Sequence, residues 1–126
     1  MRLVHRPADT TDERVLEGPV DERVLATTVE VADSFLSRAR GLMFRTSVPE
    51  DYALVFPFDR PATRGLHMLF VPFDIDAIWL VGDEVTSVKR LPAWRGLGRG
   101  TGDTIVELPA GGADGVEPGD SVTLVE

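Results

Sequence analysis

The spacing of apolar positions divides the chain into one helix-like segment and several strand-like ones. Over residues 23–32, RVLATTVEVA, Val29 and Val31 alternate with Thr28 and Glu30, the period-two pattern of a strand with one wet face. Phe35, Leu36, Ala39, Leu42 and Met43 then recur at helical spacing behind Asp33 and Ser34, whose short side-chain oxygens suit a helix cap. This predicts one short helix over residues 34–43, ended near Gly41 and before Pro49. After Tyr52 the apolar runs are short. Ala53 to Phe56, Leu66 to Val71 and Ile75 to Val81 are punctuated by Pro57, Pro61 and Pro72, and Gly82-Asp83 supplies a two-residue turn into Glu84 to Leu91. Ile75 to Val81 is apolar on both sides apart from Asp76, which predicts a central strand. Pro92 to Gly102 carries Gly96, Gly98, Gly100 and Gly102 and reads as a loop. Two last strands, Thr104 to Leu108 and Ser121 to Val125, flank a glycine-rich connection in which Glu117-Pro118-Gly119-Asp120 fits a type II turn.

Many short strands with one helix predict a mainly β (α+β) fold, a small twisted antiparallel sheet closing into a barrel or sandwich. The length of 126 residues suits one domain over residues 1–126. DERVL occurs at Asp12 to Leu16 and again at Asp21 to Leu25, too close together for a solenoid repeat. Residues 1–22 are therefore read as an N-terminal extension forming a hairpin against a core of residues 23–125.

Composition narrows the chemistry. Hydrophobic residues at 43% and charged residues at 27% are the balance of an ordinary globular domain. The absence of cysteine excludes disulfides, thiol catalysis and thiolate metal sites, and two histidines are too few for an imidazole cage, so no metal and no cofactor is expected. Thirteen basic against 21 acidic residues give 13 − 21 = −8, which argues against nucleic acid or an anionic membrane as a partner. The opening MRLVHRPADT lacks an apolar core of signal-peptide length, and no stretch approaches the roughly 18 apolar residues of a spanning helix, so a cytoplasmic protein is expected.

Three stretches carry a resemblance. Residues 29–45, VEVADSFLSRARGLMFR, and 105–122, IVELPAGGADGVEPGDSV, resemble the opening and closing signatures of the domain-of-unknown-function family 192, and PFDIDAIWL at 72–80 resembles its central strand. The resemblance spans about residues 23–125. It implies a small, largely β domain and brings no agreed biochemical activity. Where the family often has tryptophan, methionine, lysine and asparagine in succession, this chain has Gly65, Leu66, His67 and Met68, so no role is carried over to those positions.

Two functional readings stay open. The preferred one is a non-catalytic binding or interaction module for a small anionic ligand or an acidic partner. Its candidates are the arginines clustered on an acidic chain: Arg40 and Arg45 by the helix, Arg64 before the His67 strand, and Arg90, Arg95 and Arg99 in a stretch, residues 86–102, that holds no acid. Trp94 in that stretch could stack on a ligand, and its glycines could let backbone amides approach one, although GLGRGTG lacks the lysine and hydroxyl residue of a P-loop. Simple ion pairing is the structural alternative for these arginines. The second reading is a hydrolase or isomerase in which His67 shares proton transfers with Asp74 and Asp76. A histidine bonded at the core rim and an aspartate bonding turn amides are the plainer roles for these groups. The six acids from Asp103 to Glu126, with no base among them, read as a solvated face.

Of the 13 basic residues only Lys89 is a lysine, a bias expected of a salt-rich cytoplasm or of arginine-favouring codon usage. Salt adaptation is expected to raise the unfolding midpoint between dilute buffer and molar potassium chloride. An unchanged midpoint would leave codon usage as the explanation.

Overall fold

A computed structural model describes residues 1–8 and 22–126. The first arm of the expected hairpin, Asp12 to Leu16, lies outside the described residues. The fold is mainly β, as the pattern predicts: strands β1 (Arg2–Arg6), β2 (Arg23–Ala26), β3 (Thr28–Val31), β4 (Tyr52–His67), β5 (Ile75–Val81), β6 (Glu84–Leu91), β7 (Leu97–Pro109) and β8 (Ser121–Val125), with one helix, α1 (Phe35–Arg40), among the described residues. All eight strands form a single sheet in the order β2-β1-β8-β6-β5-β7-β4-β3. It is neither a sandwich nor purely antiparallel. Strand β3 runs parallel to β4, with Thr28 opposite Tyr52 and Val31 opposite Val55. A parallel pair needs a crossover, and α1 with the chain after it provides one.

Nor does the sheet close into a barrel. Its two edge strands, β2 and β3, are consecutive in the chain with Thr27 between them, yet no ladder joins them. Asp51 fixes this corner: its carbonyl accepts from the amides of both Thr27 and Thr28 at 2.9 Å, and its carboxylate accepts from both hydroxyls at 2.6 and 2.7 Å. The chain itself therefore bridges the edges that a barrel would hydrogen-bond together.

The central strands are buried on both faces. Ala53 and Val55 of β4, Ile78 and Leu80 of β5, and Val106 and Leu108 of β7 face inward against Leu3 and Val122, contributed by the curling far end of the sheet. Their alternates, including Leu54, Phe56, Ala77, Trp79 and Ile105, face a second apolar layer made by Leu42, Met68 and Val71. Strand β1 had no predicted counterpart. Its Leu3, Val4 and His5 are buried between β2 and β8, and His5 Nε2 lies 2.8 Å from Asp120 Oδ2.

Other elements follow the sequence closely. Ser34 caps α1, accepting from the Ser37 amide, and Gly41 ends it, so the helix spans 35–40 rather than 34–43. Gly119, at φ +95°, sits in the expected turn, where the Asp120 amide donates to the Glu117 carbonyl at 3.0 Å. The expected break after Phe56 is absent. Strand β4 continues through Pro57 and Pro61, slipping register between Pro57 and Ala62 and resuming against β7 as far as His67.

The largest departure is the glycine run. Residues 97–102 form the first half of β7, paired with Ala62 to His67 of β4. The fully buried Trp79 lies beneath two of its glycines: a Cβ at Gly100 would fall 2.6 Å from two indole carbons and one at Gly98 would fall 3.0 Å from a third, while one at Gly102 would fall 2.7 Å from the Leu80 carbonyl oxygen. The indole Nε1 donates to the Arg64 carbonyl at 3.0 Å. Thus Gly98 and Gly100 make room for a ring within a paired strand. Gly100→Ala is expected to destabilise the fold by roughly 1–3 kcal/mol through overpacking, whereas Arg99→Ala on the exposed face should stay within about 0.5 kcal/mol. Urea unfolding of both variants checks this; equal effects would contradict it.

Candidate functional site

Where α1 crosses the sheet the second apolar layer is incomplete, leaving a cavity of about 450 Å³. Its walls come from the end of α1 and the following turn (Gly41, Leu42, Met43), from β4 (Phe56, Phe58, Leu66) and from Val71. Three arginines line it: Arg38, Arg40 and Arg64. Two of them are held by Phe58, with the Arg64 guanidinium 3.8 Å and the Arg38 guanidinium 5.5 Å from its ring centroid. Backbone carbonyls orient both further. Arg64 donates to Gly102 and Arg60 at 3.0 and 2.7 Å, and Arg38 donates to Asp33 and Pro57 at 3.0 and 3.4 Å. Among the described residues no carboxylate pairs with Arg40.

Among the described residues Glu107 is the only acid lining the cavity. It alternates with Val106 and Leu108 on β7, so its side chain enters the helix-covered face beside Ile105, between Leu54 of β4 and Ala77 of β5. It is 6% exposed, and none of the described residues hydrogen-bonds its carboxyl. Gly41 permits this placement: at φ +52° it turns the chain off α1 so closely that a Cβ there would sit 3.4 Å from the Phe56 ring and 3.7 Å from Glu107 Oε1. Burial pushes the Glu107 carboxyl up to about 8, against a smaller opposing pull from Arg45. At neutral pH it is therefore mostly an uncharged acid, able to donate one hydrogen bond.

The candidates identified from sequence divide between this cavity and other places. Arg40 and Arg64 line it, and His67 stands at its rim. Arg45 instead pairs with Glu30 at 3.1 Å and lies over the Tyr52 ring. Arg90 is clamped by Asp76 at 2.7 Å and by Asp114 at 3.0 Å. Trp94 and Arg95 are exposed, and Arg99 borders a shallower groove on the far side of His67, beside Lys89 and Leu97. The proposed acid–base trio is not assembled by hydrogen bonds. Asp74 accepts from the Ala93 amide at 2.8 Å, the turn role anticipated for it. Asp76 is buried and fully engaged: besides Arg90, it accepts from the Gly111 and Ala113 amides, both at 3.0 Å, and so anchors the glycine-rich connection. His67 Nδ1 accepts from the Leu69 amide at 3.2 Å, and the strand expected to continue to Val71 ends at His67.

Glu107 was assigned to a solvated face, and the structure reverses that reading. The signal was present in TIVELP, where Glu107 shares the alternation of Ile105. Asp120, another of the six acids, is also buried. Burial raises its carboxyl, and hydrogen bonds from His5 and from the Glu117 and Ala8 amides more than offset this, so the net direction is downward.

Three exposed aromatics adjoin the site with left-handed backbones: Phe44 at φ +68°, Phe70 at +61° and Trp94 at +67°. Phe44 and Phe70 stack with centroids 4.9 Å apart, and the Phe44 amide donates to the Phe70 carbonyl at 2.8 Å. Among the described residues no three His, Asp or Glu side chains converge as a metal ion would require, and no helix is long and apolar enough to cross a membrane.

A single curled mixed sheet, one short crossover helix and an arginine-lined cavity above a buried glutamate define a small β-rich domain. The chain belongs to the domain-of-unknown-function family 192, described as Uncharacterized ACR, which it matches over residues 18–124. It is 37% identical over 106 residues to a UPF0127 protein of Thermococcus sibiricus, covering 79% of this chain and 68% of that one. A Pyrococcus horikoshii UPF0127 protein is 35% identical over 94 residues, covering 71% and 79%. The match to the Thermococcus kodakarensis UPF0127 protein is 40% identical but spans only 43% of that relative. Among solved structures, a Novosphingobium aromaticivorans protein of unknown function superposes with a TM-score of 0.76 at 21% identity, covering 98% of this chain and 84% of that one. A Sinorhizobium meliloti protein superposes at 0.73 and 19%, covering 97% and 92%. At these identities the likeness concerns the fold alone.

The raised Glu107 carboxyl links stability to pH. Between the ordinary 4.5 and about 8, the folded chain keeps a proton that the unfolded chain has released. The contribution of Glu107 to stability is therefore full below 4.5, falls as pH rises through this window, and levels off above it. Glu107→Gln is expected to flatten that slope and to be the more stable protein at pH 9. Urea midpoints across pH 4 to 9 check this; parallel profiles would place Glu107 in water.

Proposed function

We propose that this protein is a non-catalytic binding module for a small anionic ligand with an apolar body, held in the cavity over Glu107. The observation that carries the reading is the charge arrangement: three guanidiniums line an apolar hollow whose single acid is kept mostly uncharged by burial. On a chain of net charge −8 these guanidiniums have no carboxylate partner among the described residues, and the low-dielectric walls strengthen their pull on an anion. A volume of about 450 Å³ lies within the range of small-molecule sites and is too small for a protein surface to fill. Phe56, Phe58, Leu66 and Val71 supply the apolar contact. The hydrolase or isomerase reading has less support, because Asp74 and Asp76 spend their oxygens on backbone amides and Arg90 rather than on His67.

Arg40 allows a clean test, since no described partner depends on it. Titration with inorganic phosphate and short-chain carboxylates, followed by backbone amide shifts, is expected to move residues 38–43 and 56–67. Arg40→Ala should weaken binding roughly tenfold, the worth of one charge-assisted hydrogen bond. Shifts confined to residues 86–102, or none at all, would overturn the proposal.

A further inference from the structure

We propose that Glu107 selects the ligand by donating its carboxyl proton to an uncharged oxygen, so that the cavity takes oxo acids or hydroxy acids: a carboxylate at the arginines, a few carbons, then a carbonyl or hydroxyl at the floor. This deepens the anion-binding reading and rests on it.

Three features lead here. First, Glu107 is only 6% exposed, and its carboxyl, which has no hydrogen-bond partner among the described residues, is costly to leave there unless something else completes it. Its nearest open space is the cavity it lines. Second, the polarity of the hollow is graded. Arg38, Arg40 and Arg64 gather toward α1 and the outer half of β4, whereas Glu107 is flanked by Leu54, Ala77, Ile105 and Phe56. An anion finds cations at one end and only a neutral donor at the other. Third, the titratable groups facing Glu107 are arginines, with one imidazole. They are Arg38 and Arg40 on α1, Arg45 on the following turn, and Arg64 and His67 on β4, with Arg45 acting at longer range. The strands flanking Glu107 place no titratable side chain beside it, since Leu54 and Ala77 are its partners. An ammonium or other cation would meet those guanidiniums before reaching the floor, so a cationic ligand group is disfavoured. The acid form of Glu107 at neutral pH matches this donor role.

The test compares 4-oxopentanoate, 5-oxohexanoate and 6-oxoheptanoate with the corresponding alkanoates at pH 7 and 9.5, by calorimetry on the full chain. At pH 7 at least one oxo acid is expected to bind about tenfold more tightly than its alkanoate. At pH 9.5 that preference should vanish, because the ionised carboxyl no longer donates, so the oxo acid should lose about tenfold in all relative to its alkanoate as Glu107 titrates. Glu107→Gln keeps a donor that does not titrate and should hold the preference at both pH values, while Glu107→Leu should lose it at both. His67→Gln separates any imidazole titration: whatever it does to affinity, the loss of the oxo-acid preference between pH 7 and 9.5 should remain. If oxo acids and alkanoates bind equally and independently of pH, Glu107 is not the selecting group, and the anion-binding reading stands. If no carboxylate binds at either pH, both readings fall together.

Discussion

The structure depends on the burial of β4, β5 and β7 on both faces. A strand that is apolar on both sides must be covered twice, and a chain of 126 residues with one six-residue helix among its described residues has little material for a second layer. One face is covered by the sheet itself, which curls until Leu3 and Val122 reach the inner side of the central strands. The curl explains why the two ends of an eight-strand row come from one continuous stretch of chain. Asp51 at the corner lets β2 and β3 diverge to opposite partners without leaving the Thr27 and Thr28 amides bare.

The other face is covered by irregular chain, and that makes the site. Alpha-helix α1 spans barely two turns, so the layer over Phe56, Ile105 and Glu107 must be completed by side chains from Leu42, Met68 and Val71. Short loops rarely pack to the density of a helix pair, and here the shortfall is a hollow. Its position is then fixed by the backbone rather than by loop motion. Gly41 ends the helix directly above Glu107, and the register slip in β4 places Phe58 where two arginines can lie on it. A tighter helix end would have sealed the carboxyl away from any ligand.

What the sequence made legible was whatever local pattern decides. The capping serine, the Gly82 turn, the type II turn at Gly119 and the two-sided apolar run of β5 all depend on neighbours within a few residues, and each was readable. Tertiary demands decided the rest. Four glycines in eleven residues are ordinarily a loop, and what makes three of them strand positions is distant in sequence: the Trp79 ring against Gly98 and Gly100, and the Leu80 backbone against Gly102. Prolines ordinarily end strands, yet β4 passes through two because its register slips between them. The same holds for the site: Arg40, Arg64 and His67 were identifiable as chemistry, but the partners that decide their roles come from other strands. Arg90 and Asp76 face each other across β5 and β6, in paired positions no linear spacing reveals, and so become a clamp rather than ligands.

Glu107 shows how one position can be misread by composition and explained by geometry. Counted among six acids it looks like surface, because carboxylates usually remain in water. Placed by alternation it must share the side of Ile105, and burial there is tolerable only in the protonated form. A purely structural carboxyl in such a place would be expected to find backbone amides, as Asp76 and Asp120 do on this same sheet. Those two show that this fold readily supplies donors to buried acids. That it brings arginines near Glu107 and gives the carboxyl no donor among the described residues is the contrast on which the proposed ligand contact rests.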